Sequence, residues 1–177
     1  MQIESLHIRN FKSIRELEIK DIESALILVG KNNTGKTVVL DAIRAVTGNY
    51  IARETDFNEK RQNIEIAMVL ELTEEDLYQF HTRGAVSSFK RYETWKHDFC
   101  EKLPSFSGGR LTFCCTINHS GKIRYEDGFH KNNRYIPEIL PKIHFIDTNR
   151  NLTSFQEDLL MSQRSEELIA LRSNVCM

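Results

Sequence analysis

The segment Ala25-Leu-Ile-Leu-Val29 is an unbroken apolar run, and it leads without a spacer into Gly30-Lys31-Asn32-Asn33-Thr34-Gly35-Lys36-Thr37. Such a run reads as a strand buried on both faces. Beyond the loop, Val39, Ala42, Ile43 and Val46 fall on one helical stripe, and Gly48 stands where a C-terminal cap is expected. Strand, glycine loop and helix in that order place the chain among mixed α/β folds.

Gly-x-x-x-x-Gly-Lys-Thr is the complete phosphate-loop pattern. Glycine lets the backbone turn tightly enough for successive N–H groups to face phosphate oxygens, and the following helix N-terminus adds partial positive charge at the same place. In this frame Gly30, Lys31, Asn32, Asn33, Thr34 and Gly35 cradle the phosphates of a nucleoside triphosphate. Lys36 reaches the β- and γ-phosphates, and the Thr37 hydroxyl ligates Mg²⁺. The competing reading, an ordinary strand-to-helix turn with an incidental lysine, leaves the coincidence of strand, loop and helix unexplained.

Composition narrows the surroundings. With 177 residues, 40% of them hydrophobic and 28% charged, the chain is long enough for one domain with a core and is not a disordered tail. A formal net charge of −1 argues against a strongly basic, self-sufficient nucleic-acid binder, though not against a local basic patch. Neither a basic, apolar leader nor an apolar run of membrane-spanning length is visible, so the expectation is a cytoplasmic chain without membrane contact. The four cysteines form no Cys-x-x-Cys pair and have no histidine at zinc spacing, which favours reduced core thiols over a metal site.

Periodicity supplies the remaining elements. Gln2–Ile8 and Ile14–Ile19 alternate as two strands joined by Arg9–Ser13, and Asn63–Leu72 alternates with Ile64, Ile66, Met68, Leu70 and Leu72 on one face. Thr73 followed by Glu74, Glu75 and Asp76 predicts a capped helix carrying Leu77 and Phe80 inward. A second helix is expected over Ala85–Leu103, with Val86, Phe89, Tyr92, Phe99 and Leu103 as its apolar side. Its basic residues Lys90, Arg91, Lys96 and Lys102 read most simply as a solvated face. Leu111–Asn118 and a return strand at Ile123 and Tyr125 make a hairpin, followed by a loop with one helical turn. A short strand at Ile143–Asp147 and a polar helical segment at Thr153–Arg172 complete the chain. The expected sheet is mixed: antiparallel strands around one parallel nucleotide-binding strand.

Three stretches carry a resemblance. Ile8-Arg9-Asn10-Phe11-Lys12-Ser13, the phosphate loop with its paired Asn32 and Asn33, and Thr55-Asp56-Phe57 ahead of the alternating strand together resemble the N-terminal lobe of ABC-type ATPase heads. These are the heads related to RecF and the structural-maintenance-of-chromosomes proteins, and within the group the sequence is similar to the OLD (overcoming-lysogenisation-defect) ATP-dependent endonucleases. The resemblance implies ATP and Mg²⁺ at Gly30–Thr37, a homodimer of heads that sandwiches ATP, and DNA as the partner of the complete protein, in repair or in defence against phage. It also implies that the turn at Arg9–Lys12 lies near the nucleotide, with Asn10, Phe11 and Lys12 as candidate contacts. A plain connecting turn with Phe11 packed inward is the competing reading.

Two imitations complete the picture. Phe106-Ser-Gly-Gly-Arg110 mimics the ABC signature, but Gly109 runs into a strand pattern, so no helix dipole is available there. Ile143–Asp147 mimics a Walker B strand, but Thr148 and Asn149 follow where a water-activating glutamate is needed. Catalytic residues are therefore not assignable. The chain reads as a single partial ATPase domain over 1–177, with the start of a helical arm at 153–177, expected to bind ATP but to hydrolyse it poorly alone. The alternatives are a non-hydrolysing ATP-dependent regulatory or assembly protein and a transporter-type ATP-binding subunit.

Overall fold

Alternating apolar and polar residues build the sheet, and the core follows from it. A computed structural model describes residues 1–23, 25–29, 35–141 and 143. Strand β1 (Gln2–Phe11) pairs antiparallel with β2 (Ile14–Ile19), setting Ile8 opposite Leu17 and Phe11 opposite Ile14. β1 runs past Ile8, because Arg9 stays in the ladder between Glu16 and Glu65 and is ion-paired to both. The turn is thereby shortened to Lys12 and Ser13.

Helix α1 (Lys36–Val46) follows the phosphate loop, and a single 3-10 turn at Glu54–Asp56 leads to β3 (Ile64–Glu71). Every apolar residue that the alternation assigns to one face of β3, with Leu72 beyond it, is buried. Helix α2 (Glu74–Thr82) begins in a reciprocal cap: the Asp76 N–H donates to Thr73 Oγ1 at 3.2 Å, and the Thr73 N–H donates to Asp76 Oδ2 at 2.9 Å. Leu77 and Phe80 point inward as their spacing requires.

Helix α3 spans Tyr92–Lys102 and not the whole of Ala85–Leu103. Gly84 and Val86 both have left-handed backbone, at φ 68° and 67°, which no right-handed helix accommodates. The polar backbone of this segment is satisfied from elsewhere: Trp95 Nε1 donates to Ala85 O, Lys102 Nζ donates to Val86 O, and the Val86 N–H donates to Glu138 Oε2. Phe89, expected inward, is 48% exposed, and Trp95, which was not assigned to the apolar side, is fully buried.

Strand β4 (Phe106–Ser107) turns through Gly108 and Gly109 into β5 (Arg110–Ile117), and β6 (Ile123–Glu126) returns along β5. Helix α4 (Ile136–Ile139) is the one helical turn. The sheet order is β2-β1-β3-β5-β4, with β6 also on β5. Its inward face, including Leu6, Ile8, Ile66, Met68, Phe113 and Cys115, shares one core with Val39, Ala42 and Val46 of α1 and with Trp95 and Phe99 of α3. Tyr125 ties α1 to the sheet by donating its phenol hydrogen to Val46 O at 2.7 Å.

Two expectations need correction. All strand pairings among the described residues are antiparallel, so the sheet is not mixed. Ala25–Val29 is not a strand and is not buried on both faces: Ile27 is 81% and Val29 90% exposed. The physical reason is the same for both. A parallel strand needs a paired neighbour running the same way, and none of the described strands pairs with Ala25–Val29. The strand expected over Ile143–Asp147 lies outside the described residues beyond Ile143, as does the helical segment from Thr153.

Candidate nucleotide-binding site

Of the eight residues assigned to the phosphate loop, Gly35, Lys36 and Thr37 are described, and Gly30–Thr34 lie outside the described residues. Gly35 is the N-cap of α1 in left-handed conformation, φ 89° and ψ 3°. A Cβ built there meets nothing closer than Ser13 Oγ at 3.7 Å, so glycine is needed for the backbone angle and not for room. The Gly35 carbonyl accepts from the Val38 and Val39 N–H groups at 3.0 and 3.2 Å, starting the helix.

The starts of α1 and α2 differ in chemistry. α2 has a side-chain cap and three acidic residues in its first turn; α1 has no side-chain cap hydrogen bond from Gly35 and no acid in its first turn. The positive end of α1 is therefore not neutralised by its own first turn, which suits it to an external anion. Thr37 is exposed in that turn, beside the half-buried Lys36. Its hydroxyl fits a metal ion shared with phosphate oxygens.

A cavity of about 680 Å³ opens between Gly35–Lys36 and β2. Its walls are apolar at Ile14, Leu17, Leu28, Val29 and Val39 and polar at Ser13, Arg15, Glu16 and Lys36. That volume falls within the range typical of small-molecule sites, about 300–1,000 Å³.

The turn ahead of β2 is clamped by its own side chains. The Asn10 amide donates to the carbonyls of Glu59, Gln62 and Asn63, and Asn10 Oδ1 accepts from the Glu59 N–H. Phe11 is fully buried and bridges to Phe57, which stacks on His119. Lys12 Nζ donates to Asp41 Oδ2 at 2.6 Å and lies 4.6 Å from the centroid of the Tyr50 ring. Burial acts to lower the pKa of this ammonium, but hydrogen bonding and charge from Asp41 and Tyr50 outweigh it and hold the group above the ordinary lysine value. Of the three candidate contacts, then, Asn10, Phe11 and Lys12 all spend their side chains on internal partners, and Ser13, Ile14 and Arg15 face the cavity instead.

A family profile for an AAA ATPase domain matches residues 1–172. This chain belongs to the AAA ATPase domain family. Another similar sequence is an uncharacterised protein of Methanocaldococcus jannaschii, 44% identical over 41 residues, which make up 23% of this chain and 19% of that protein. The matched stretch thus spans about a fifth of that relative's length. A solved structure from work on ATP-driven dimerization and DNA-stimulated activation of SMC ATPases overlaps 78% of this chain and 75% of its own, at 18% identity and a TM-score of 0.49.

Two buried carboxylates beside the β1–β2 turn escaped sequence reasoning. Asp41 is a carboxylate only 7% exposed within the buried stripe of α1, flanked by Ala42 and paired to both Lys12 and Arg44. A charged residue interrupting an apolar helical face was the signal that could have found it. Asp56, which had no assigned role, accepts from Tyr50 Oη and the Arg53 N–H, and its carbonyl accepts the Lys12 N–H at 2.7 Å. Among the described residues no cluster of three or more metal-ligating side chains occurs, and no helix is long and apolar enough to cross a membrane.

Proposed function

We propose that this AAA ATPase domain binds Mg²⁺–ATP at Gly30–Thr37 and forms the phosphate-binding half of an ABC-type head in a DNA-acting ATPase of the OLD endonuclease kind. The observation that carries the reading is the start of α1: a left-handed Gly35, Lys36 and an exposed Thr37 at a helix N-terminus with no acid in its first turn, beside a cavity. Backbone N–H groups and the helix end supply fixed positive charge to the phosphates, Lys36 adds its ammonium, and Thr37 is the protein ligand for Mg²⁺. The cavity between Lys36 and Ser13–Leu17 takes the nucleoside end.

Binding and hydrolysis separate in this reading. Phosphoryl transfer needs charge and water positioned from several sides, and the segment imitating an ABC signature is a β4–β5 turn with Gly108 and Gly109 both at positive φ. In the complete protein, two heads sandwiching the nucleotide bring in the groups that this segment lacks. The motifs at Ile8–Ser13 and the Asn32–Asn33 pair support the OLD kinship and, through it, DNA as the partner. The β4–β5 turn equally favours a second reading, a non-hydrolysing protein that uses bound ATP as an assembly cue.

Titrating ATP in the presence of Mg²⁺ tests the assignment. Lys36→Ala is expected to weaken binding by about tenfold to a hundredfold, the worth of a lost charge-assisted contact. Undiminished affinity in that variant removes the phosphate-loop assignment. Single-turnover hydrolysis with and without DNA is the second test: robust DNA-stimulated turnover by the chain overturns the non-hydrolysing reading, whereas slow or absent turnover is what a partial domain gives under either reading.

A further inference from the structure

The Lys12 ammonium sits in the turn beside the phosphate-loop helix, yet it does not stand free to meet a phosphate. Its Nζ is committed to Asp41 Oδ2 at 2.6 Å and covered by the Tyr50 ring. Asp41 lies four residues after Thr37, so the two share a helix face one turn apart. The pair therefore joins the β1–β2 turn to α1 one helical turn after Thr37.

Three features argue that this junction sets geometry and is not there for stability. First, a mostly buried ion pair is a weak stabiliser, and an apolar pair would fill the same space in the stripe of Val39, Ala42 and Ala45 at least as well. Second, Asn10 and Lys12 both hold left-handed backbone, at φ 58° and 50°, which ordinary side chains rarely adopt and which persists only where neighbours over-determine it. Third, the other ties of the turn run to the 56–63 loop: the Lys12 N–H to Asp56 O, Asn58 Nδ2 to Lys12 O, and the Asn10 amide to Glu59, Gln62 and Asn63. Those bonds fix the turn on one side, and the Lys12–Asp41 bond reaches across to α1. Ser13, Ile14 and Arg15, the cavity wall facing Gly35 and Lys36, follow immediately in the chain.

We propose that Lys12 and Asp41 are a positioning pair that preforms the nucleoside side of the site by locking the Ser13–Arg15 wall against the phosphate-loop helix. The proposal rests on the reading of Gly30–Thr37 as the phosphate site. Lys12 then contributes to the nucleoside part of the ligand and not to its phosphates, and ligand binding avoids the cost of ordering that wall.

Calorimetric titration of the full 177-residue chain with Mg²⁺–ATP and, separately, with Mg²⁺–tripolyphosphate tests this. Lys12→Met keeps the stem and removes the charge, and Arg44 at 3.3 Å keeps Asp41 paired, so the variant is expected to fold. It should lose about tenfold in ATP affinity, the equivalent of one charge-assisted hydrogen bond, and stay within about twofold for tripolyphosphate. Asp41→Asn should reproduce that split from the other side, and Lys12→Arg should restore most of the ATP affinity. Equal losses for both ligands would overturn the proposal in favour of a phosphate contact or a merely structural role, and unchanged ATP affinity would overturn it outright. Lys36→Ala serves as the control on the underlying reading. If it leaves tripolyphosphate affinity unchanged, the phosphate-loop assignment itself fails and takes the proposal with it, a result distinct from either outcome for Lys12.

Discussion

Asn10 shows how much a single side chain can carry. It is 3% exposed, sits at positive φ, and its amide satisfies three carbonyls while its oxygen accepts a backbone N–H. Asn10→Ala removes these partners at once and leaves buried carbonyls unpaired, a loss of about 2–3 kcal/mol in unfolding free energy measured by urea denaturation. Asn10→Asp should cost more despite being isosteric, because it points a carboxylate at three carbonyl oxygens and offers no donor in return. The reverse order would mean that the oxygen's contact with the Glu59 N–H, and not the amide's donors, holds the turn. Sequence reasoning marked Asn10 as a candidate nucleotide contact. That misplacement has a simple cause: an asparagine in a loop looks the same whether its amide faces a ligand or its own backbone, and the 59–63 segment that claims it is about fifty residues away.

Among the elements, the two helix starts make the sharpest contrast. α2 is capped within its own four residues, so its beginning was legible from Thr73 and Asp76 alone. Thr73→Ala should lower stability by about 1 kcal/mol, read from the thermal midpoint. A wild-type midpoint in that variant would show the cap to be redundant with tertiary packing. α1 begins on a left-handed glycine, which has no side chain to cap with, and carries no acid in its first turn. α3 shows the limit of periodicity. Its apolar spacing extends smoothly back to Val86, but Trp95, Lys102 and Glu138 capture the backbone of Ala85 and Val86 and hold that segment out of the helix. Competition for backbone hydrogen bonds by distant side chains leaves no trace in a hydrophobic pattern.

At the scale of the whole molecule, the segment ahead of the phosphate loop and the centre of the sheet make opposite predictions for similar residues. Ile66, fully buried in β3, should cost about 2–5 kcal/mol when changed to alanine, whereas Ile27→Ala should stay within about 0.5 kcal/mol in the same denaturation assay. A large loss at Ile27 would mean that Ala25–Val29 is packed as a strand in solution after all. The difference between the two marks where sequence reasoning holds and where it stops. Strict alternation in β3 and β5 determines which residues turn inward, because a period of two assigns every side chain to a face whatever the neighbours are. The Thr73 cap and the Gly35-Lys36-Thr37 start of α1 are local in the same sense, set by residues within one helical turn. An apolar run such as Ala25–Val29 carries no such instruction: it is satisfied only by an edge of the right direction, and which edges exist is a property of the assembled sheet. The same holds for Lys12 and Asp41, whose partnership arises because β1 and α1 are brought together across the core. The phosphate-loop pattern at Gly30–Thr37 is written in consecutive residues, so the sequence alone is enough to propose it. The tie behind it was decided by tertiary structure, because its two charges meet only in space.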